Sequence, residues 1–210
     1  TGKILCAWSA ALLAACAALP PAQPLPQLPD PLPAVLLLGE VHDNAEGHAR
    51  RLELLRQLLQ QGWRPAIALE QFDREQQAAL TAAQAGCGED TDCLIRTAAT
   101  ADSGWDWRHY RPVIELAQQY RLPLLAANLS RPDARRLIQG GLAALPPEDG
   151  SLRESLRQIP EDVLREQAAA VADGHCHLLP VALLPAMATA QVARDMVMAD
   201  ILRRRLPEPV

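Results

Sequence analysis

The density of proline between Leu19 and Pro33 most restricts how this chain can fold. Seven of these fifteen residues are proline, and proline fixes φ and removes the backbone N–H that helices and sheets need. Such a segment favours an extended polyproline spacer of about 3.1 Å per residue, roughly 45 Å in all. It also suits a ligand for proline-recognising domains, but a tether is the simpler interpretation. Residues 34–210 remain, enough for one domain with a sizeable core.

The residues before this tether resemble an export signal. Residues 1–15 are almost wholly apolar or small after Lys3. A run this short cannot span a bilayer, which takes roughly 20 residues, and is typical of a secretory signal. The stretch Leu-Ala-Ala-Cys that ends at Cys16 is similar to a bacterial lipobox, in which the cysteine is lipidated. We therefore interpret residues 1–15 as a partial lipoprotein signal peptide and residues 16–33 as a lipidated Cys16 with its proline-rich tether.

Location and partner class follow from a few further residues. Ala17 stands where an aspartate often retains a lipoprotein at the inner membrane, so we expect the outer membrane of a bacterial cell envelope. The net charge of −5, without a basic stripe, argues against nucleic acid as a partner. Cys87 and Cys93 bracket a short polar loop, and in an exported protein such a pair predicts a local disulfide.

Apolar runs and helical patterns alternate along the first half of the domain. The runs at 35–38, 66–69 and 122–127 predict buried strands, and helical spacing is clear over 45–61, about 73–85 and 112–120. This order predicts an α/β fold with a parallel β-sheet flanked by helices. The half after Arg131 is helical, with helices predicted at 160–172 and 185–206. The last residues read as the start of another strand, so we expect a domain truncated at its C-terminus.

Polar side chains follow these predicted strands where each one ends. Glu40 and His42 come after the first strand, Glu70 after the second and Asn128 after the third. The carboxyl ends of parallel strands share one edge of a sheet, where ligands collect. We expect Glu40, His42 and Glu70 to lie within roughly 10 Å of one another, given strands about 4.8 Å apart. They could hold a divalent metal or perform acid–base chemistry; an ordinary turn with a helix cap is the alternative.

Six short segments occur in the order seen in ChaN-like haem-binding uptake lipoproteins, which belong to the Tiki superfamily. The resemblance covers roughly residues 33–210, and it implies a large parallel sheet, a lipid anchor and haem-linked iron acquisition. It also implies that a tyrosine and a histidine engage haem at a dimer interface. The segments are Leu38-Gly39-Glu40-Val41-His42-Asp43, Ala68-Leu69-Glu70-Gln71-Phe72, Trp105 with Tyr110-Arg111-Pro112, Ala126-Ala127-Asn128, Asp173-Gly174-His175-Cys176, and Ala190-Gln191 with Arg194-Asp195-Met196.

The resemblance gives candidate haem ligands but does not choose among them. Tyr110 is the better-placed tyrosine, and His175 or His177 is the candidate histidine. Arg111 could pair with the tyrosinate or with a haem propionate. Haem, a second copy of the chain and a haem receptor or transporter are the expected partners. Gln191 and Asp195 share one face of the last helix and form a further polar candidate site.

A second interpretation of the same motifs is enzymatic. Related proteins of the superfamily are thought to cut peptides with a motif like Gly39-Glu40-Val41-His42. Glu40, His42 and Glu70 would then hold a divalent metal whose bound water attacks the substrate. A membrane-tethered scaffold with a vestigial polar edge is a third interpretation. The leading hypothesis is a haem-binding protein without turnover, and pigment on purification would separate it from the other two.

Overall fold

The computed structural model describes residues 25–100 and 103–206, so the predicted signal peptide and Cys16 lie outside the described residues. Within these ranges no helix combines the length and apolar character needed to cross a membrane. The chain forms eight α-helices and two β-strands in the described ranges, in the order α1 Ala45–Gln60, β1 Ile67–Asp73, α2 Gln77–Gly86, α3 Thr91–Ala98, α4 Trp107–Gln119, β2 Leu124–Asn128, α5 Arg131–Gly140, α6 Gly150–Arg157, α7 Glu161–Gly174 and α8 Leu184–Arg203.

The predicted α/β class with a parallel sheet and a helical C-terminal half is confirmed. β1 and β2 pair in parallel, with Ile67 opposite Leu124 and Leu69 opposite Ala126. The register shifts before Asp73 pairs with Asn128. β1 continues through Glu70, where the sequence suggested its end, and Gln71 and Phe72 beyond it are both buried.

The strand predicted at 35–38 is wrong in this structure. The residues described here include a sheet of only two strands, and the segment 35–38 has no regular secondary structure and does not join it. Leu37 is 76% exposed and Leu38 is 38% exposed. An apolar run suits a buried strand, but a strand forms only where a neighbouring backbone completes its hydrogen bonds. An apolar composition does not predict whether such a neighbouring strand is present.

Two glutamine side chains of α2 cover the outer edge of β2. Gln84 donates to the Leu122 carbonyl at 3.0 Å and accepts from the Leu124 N–H at 3.1 Å. Gln77 donates to the Leu124 carbonyl at 3.1 Å and accepts from the Ala126 N–H at 2.8 Å. Each side-chain amide thus replaces one peptide group of a neighbouring strand. Side chains of a helix thus satisfy the backbone hydrogen-bonding groups of this edge, and covering an edge strand with a helix is one way that proteins protect it.

Helix α4 begins five residues earlier than predicted. The sequence suggested Pro112 as its first residue, but Pro112 lies inside the helix. Asp106 is the N-cap, and its side chain accepts from the Arg108 N–H at 3.1 Å. The Asp106 cap and the burial of the Tyr110 ring stabilise the first turns of α4. This stabilisation offsets the backbone hydrogen bond that Pro112 cannot donate.

The core has two parts that meet near the C-terminal ends of the strands. The first packs α1–α4 against the sheet around Leu59, Phe72 and Ile114. The second packs α5, α6 and α8 around residues that include Leu137 and Ala193. The predicted helices at 160–172 and 185–206 are confirmed as α7 and α8, within two or three residues. Their connecting segment therefore lies at the end of a helix pair, outside both cores.

Candidate functional site

Glu40 is the centre of a hydrogen-bonded group that we call the Glu40 cluster, formed by Glu40, His42, His48, Arg51 and Tyr110. The Tyr110 hydroxyl donates to Glu40 Oε1 at 2.5 Å, and His42 Nδ1 lies 2.7 Å from the same oxygen. Arg51 donates to Glu40 Oε2. The carboxylate therefore has three partners from three segments of the chain. Only 17% of its side chain is exposed.

Local sequence explains how these side chains come together. The motif Gly39-Glu40-Val41-His42 runs into a turn in which the Asn44 N–H donates to the Val41 carbonyl. The Asn44 side chain then caps α1 by accepting from the Gly47 N–H. Positions three apart on a helix share a face, so His48 and Arg51 point together toward the motif. The signal for these two residues is this spacing, which the sequence analysis missed.

The hydrogen bonds around His48 define its tautomer. An arginine can only donate, so His48 Nδ1 must accept from Arg51 Nη2, at 2.7 Å. His48 Nε2 then carries the proton and donates to the His42 carbonyl at 3.0 Å. The ring is also stacked on His109, with centroids 4.6 Å apart and planes inclined by 11°. His48 thus links α1, the motif and α4.

The electrostatics of the Glu40 cluster keep its carboxylate charged and its phenol neutral. Burial acts to raise the pKa of Glu40, but hydrogen bonds from Tyr110, His42 and Arg51 outweigh it and lower the pKa to about 2. Burial and the neighbouring carboxylate raise the pKa of the Tyr110 hydroxyl well above its usual value. The arrangement therefore favours a phenol that donates to Glu40 over a tyrosinate.

The predicted metal triad is not assembled. Glu40 and His42 are in contact, but Glu70 instead pairs with Arg194 of α8, at 3.3 Å. The ion pair with Arg51 also places a positive charge where a metal cation would approach Glu40. Across residues 25–100 and 103–206, no group of three acidic, histidine or cysteine side chains has the arrangement of a metal site. The described geometry gives the metal hypothesis no support.

A polar recess of about 440 Å³ lies beside the Glu40 cluster, at the carboxyl ends of the strands. Asn128 is buried there and donates to Asp73 Oδ1 at 2.9 Å. Gln191 and Asp195 form their own hydrogen bond on α8, at 3.2 Å. The predicted edge of the sheet therefore does gather polar groups, including residues that the sequence analysis did not select. Its walls include His42, Gln71, Asp73, Trp105, Tyr110, Asn128, Arg131 and Arg194.

The histidine candidates lie far along the chain from this recess, in the segment His175–Leu183, which we call the α7–α8 loop. His175 Nδ1 lies 2.7 Å from the Val171 carbonyl, so this nitrogen carries the ring proton and donates it. His177 Nε2 pairs with Asp173 at 3.1 Å. Cys176 is exposed and free. Both Cys176 and His177 have positive φ, of 52° and 56°, which reflects the tight turn that ends α7.

Three further predicted residues, Arg111, Cys87 and Cys93, have structural partners. Arg111 pairs with Asp92 of α3 and with Glu115 of its own helix, the latter at 2.7 Å. Cys87 and Cys93 form the predicted disulfide, which joins the end of α2 to the start of α3. Arg111 and this disulfide thus both connect α3 to its neighbours.

The architecture defines an α/β protein with a parallel strand pair, a saturated carboxylate at the strand ends and a helical second half. Residues 33–209 match the family described as "Haem-binding uptake, Tiki superfamily, ChaN", and the chain belongs to that family. The resemblance found in the sequence is thereby confirmed.

A solved relative has the same fold. The structure described as "Cofacial heme binding to ChaN of Campylobacter jejuni" superposes with a TM-score of 0.61 at 21% sequence identity. The match covers 78% of this chain and 63% of that chain, so the present sequence spans less than two thirds of the relative's length. Among curated proteins, no match to this chain is found.

Proposed function

We propose that this protein binds haem as a lipid-anchored component of haem or iron acquisition and performs no turnover. Membership of the haem-binding uptake family supports this proposal. The structural observation that carries it is the geometry of His175 in the α7–α8 loop. The hydrolase alternative requires a metal at Glu40, and the saturation of that carboxylate gives it no comparable support.

The hydrogen bonding of His175 is suited to iron ligation. Its Nδ1–H donates to the Val171 carbonyl, which leaves Nε2 as the ring nitrogen with a lone pair. Histidines that bind metals commonly donate their other N–H to a backbone carbonyl in this way, which fixes the ring and its tautomer. His177 differs, because its Nε2 is engaged with Asp173. Of the two histidines, His175 therefore has the geometry that suits a haem ligand.

The same loop presents apolar side chains suited to a porphyrin. Leu178 is 85% exposed and Val181 is 80% exposed, and Leu183 is partly exposed. The Leu178 N–H bonds the His175 carbonyl at 3.0 Å, so Leu178 is held close to the histidine. Haem is a flat apolar ring with two charged carboxylates at one edge. When bound, it would supply a Lewis-acidic iron and cover this apolar surface.

Iron ligation by Tyr110 stays a prediction, and the structure attaches a cost to it. The hydroxyl is buried and donates to a charged carboxylate, so a tyrosinate would form only after this bond breaks and the charges separate. Arg111, the predicted propionate partner, is already paired with two carboxylates. We therefore propose His175 as the iron ligand, and the titration below compares it with Tyr110 as the alternative ligand.

A second copy of the chain is the expected partner at the α7–α8 loop. One histidine and one exposed apolar surface leave the other side of a haem uncovered. The solved relative binds its haem groups cofacially, as its description states. We propose that two copies of this protein approach each other through this loop and enclose haem between them.

Haemin titration followed by optical spectroscopy tests the assignment. We expect His175→Ala to weaken haem binding at least about tenfold, since even the outer partners of a metal ligand are worth that much. The matched control, His177→Ala, should change affinity by less than about threefold. Normal binding by His175→Ala, together with loss of a tyrosinate charge-transfer band in Tyr110→Phe, would move the iron to Tyr110. Size-exclusion chromatography with and without haemin tests the dimer.

We further propose that Cys16 is lipidated and that residues 16–33 tether the domain to the outer membrane, where a haem receptor or transporter is its partner. The support is the lipobox-like sequence, the proline-rich spacer and a disulfide suited to an oxidising compartment. Labelling of the full precursor with radioactive palmitate should mark the wild-type protein and not Cys16→Ser. Equal labelling of both would contradict lipidation at Cys16.

A further inference from the structure

The polar recess beside the Glu40 cluster has an incompletely satisfied floor. Asn128 is 4% exposed, and its side-chain N–H donates to Asp73. Its Oδ1 atom is buried and has no hydrogen-bond partner within the described residues. Buried amide oxygens nearly always accept a hydrogen bond from protein, water or ligand. Asn128 lines the recess, so the partner that its oxygen requires is a water molecule or an N–H or O–H group of a bound molecule.

Two arginines line the recess together with three aspartates, Asp43, Asp73 and Asp106. Arg194 lines the recess from α8, and Arg131 lines it from the start of α5. Both guanidinium groups act to lower the pKa of Asp73, although burial raises it overall, so both lie close to the floor. Arg194 reaches Glu70 with Nη1 at 3.3 Å, longer than the 2.7–2.9 Å of a close charge-assisted bond. A guanidinium has five donors, so the pair with Glu70 leaves Arg194 capacity for another carboxylate.

The walls and size of the recess suit a small organic molecule. The cavity volume of about 440 Å³ falls in the range of ligand pockets, roughly 300–1,000 Å³. Trp105 and Tyr110 stand edge to face on one wall, with ring centroids 5.5 Å apart. Gly104 forms part of the rim, where its φ of +70° disfavours any residue with a side chain and the guanidinium of Arg131 lies close to its backbone. Polar recognition is thus combined with an aromatic wall.

We propose that this recess binds a small carboxylic acid with a hydroxyl or amino group on the carbon next to the carboxylate. The carboxylate pairs with Arg194, and Arg131 is the second guanidinium that offsets the aspartates of the lining. The neighbouring O–H or N–H donates to Asn128 Oδ1. This site is separate from the α7–α8 loop, so its ligand is a second one and does not compete for His175.

Calorimetric titration of the full-length, haem-free protein with L-lactate and with propionate tests the proposal. The two acids have the same carbon skeleton, and only lactate carries the donor. We expect lactate to bind about tenfold more tightly, the effect of one hydrogen bond of ordinary strength. Equal affinity for the two acids would overturn the role of Asn128. Absence of binding by both acids in the millimolar range would overturn the site and leave water as the partner of Asn128.

Two variants test separately the recognition of the hydroxyl group by Asn128 and of the carboxylate by Arg194. Asn128→Leu should abolish the preference for lactate while propionate still binds. Arg194→Gln should weaken both acids, and the matched exposed control Arg157→Gln should weaken neither. If Asn128→Leu does not fold, the lactate-to-propionate ratio of the wild-type protein and the Arg194→Gln result still decide the question. Unchanged binding of both acids by Arg194→Gln would contradict the proposal.

Discussion

The Glu40 carboxylate and the His175 ring contrast in how many of their acceptor atoms already have a hydrogen-bond partner. In the Glu40 cluster, both carboxylate oxygens are bonded, and histidine, arginine and tyrosine side chains enclose them. In the α7–α8 loop, His175 keeps one ring nitrogen with a lone pair, and leucine and valine side chains are exposed beside it. The first arrangement stabilises a fold, and the second is suited to a ligand.

On the proposed assignment of haem to the α7–α8 loop, the most recognisable motif of the chain is not its haem site. A carboxylate with three internal partners would have to give some of them up before it could bind a metal or act as a base, at a cost in stability. A solvent-exposed histidine beside apolar side chains loses little when a ligand covers it. The motif around Glu40 is therefore better explained as the connection between the N-terminal segment, α1 and α4.

The largest expected effect is on stability at Glu40. Glu40→Leu leaves the half-buried guanidinium of Arg51 without its carboxylate, and we expect the free energy of unfolding to fall by about 3–5 kcal/mol. His175→Ala, the comparison from the α7–α8 loop, should change it by less than about 0.5 kcal/mol. Urea denaturation followed by circular dichroism measures both. Similar losses in the two variants would remove the contrast.

The pH dependence of the unfolding free energy should also distinguish Glu40 from His175. Glu40 has a pKa of about 2 in the folded protein and 4.5 as its reference value, so its contribution is fully present above about pH 5. That contribution, about 3 kcal/mol, is lost as the pH falls from about 5 to about 2. Glu40→Gln should flatten the pH dependence of the unfolding free energy over this window, whereas His175→Ala should keep it. An unchanged slope in Glu40→Gln would show that its pKa is not lowered.

Tyr110 separates a structural tyrosine from a haem ligand. Tyr110→Phe removes a hydrogen bond to a charged carboxylate, and we expect a loss of about 1.5–3 kcal/mol in unfolding free energy. Haem affinity should stay unchanged. Tyr120→Phe is the matched control and should alter stability by no more than about 0.5 kcal/mol. A large loss of haem affinity in Tyr110→Phe alone would assign this tyrosine to the haem site.

The smallest expected effect is at Leu178. Its side chain is largely exposed, so Leu178→Ser should leave the unfolding free energy within about 0.5 kcal/mol of the wild type. Haem affinity should fall about fivefold, because about 1 kcal/mol of apolar contact is lost. Val163→Ser changes an exposed residue of α7 outside the loop and should leave both quantities unchanged. Equal haem affinity for wild type and Leu178→Ser would show that the porphyrin does not contact this leucine.

Periodicity, caps and cysteine spacing predicted the parts of the fold that depend on near neighbours. The predicted helix over 45–61 matches α1 because the Asn44 cap and the leucine spacing are local features. The disulfide between Cys87 and Cys93 is likewise set by a separation of six residues. The strand at 35–38 was wrong because a strand depends on distant backbone partners. Proline is common at helix starts, but Pro112 here lies inside α4, because the Asp106 cap begins the helix about one turn and a half earlier.

The sequence by itself determined the α/β class, the positions of most helices and the family, since repeated spacing and ordered motifs are written along the chain. Only the tertiary structure decided that Arg51 and Tyr110 saturate Glu40, and that Glu70 pairs with Arg194. It also decided that α2 closes the edge of β2 with glutamine side chains. These contacts join residues 11 to 124 positions apart. Such partners are selected when the helices pack, because packing fixes which polar groups lose water and must find one another.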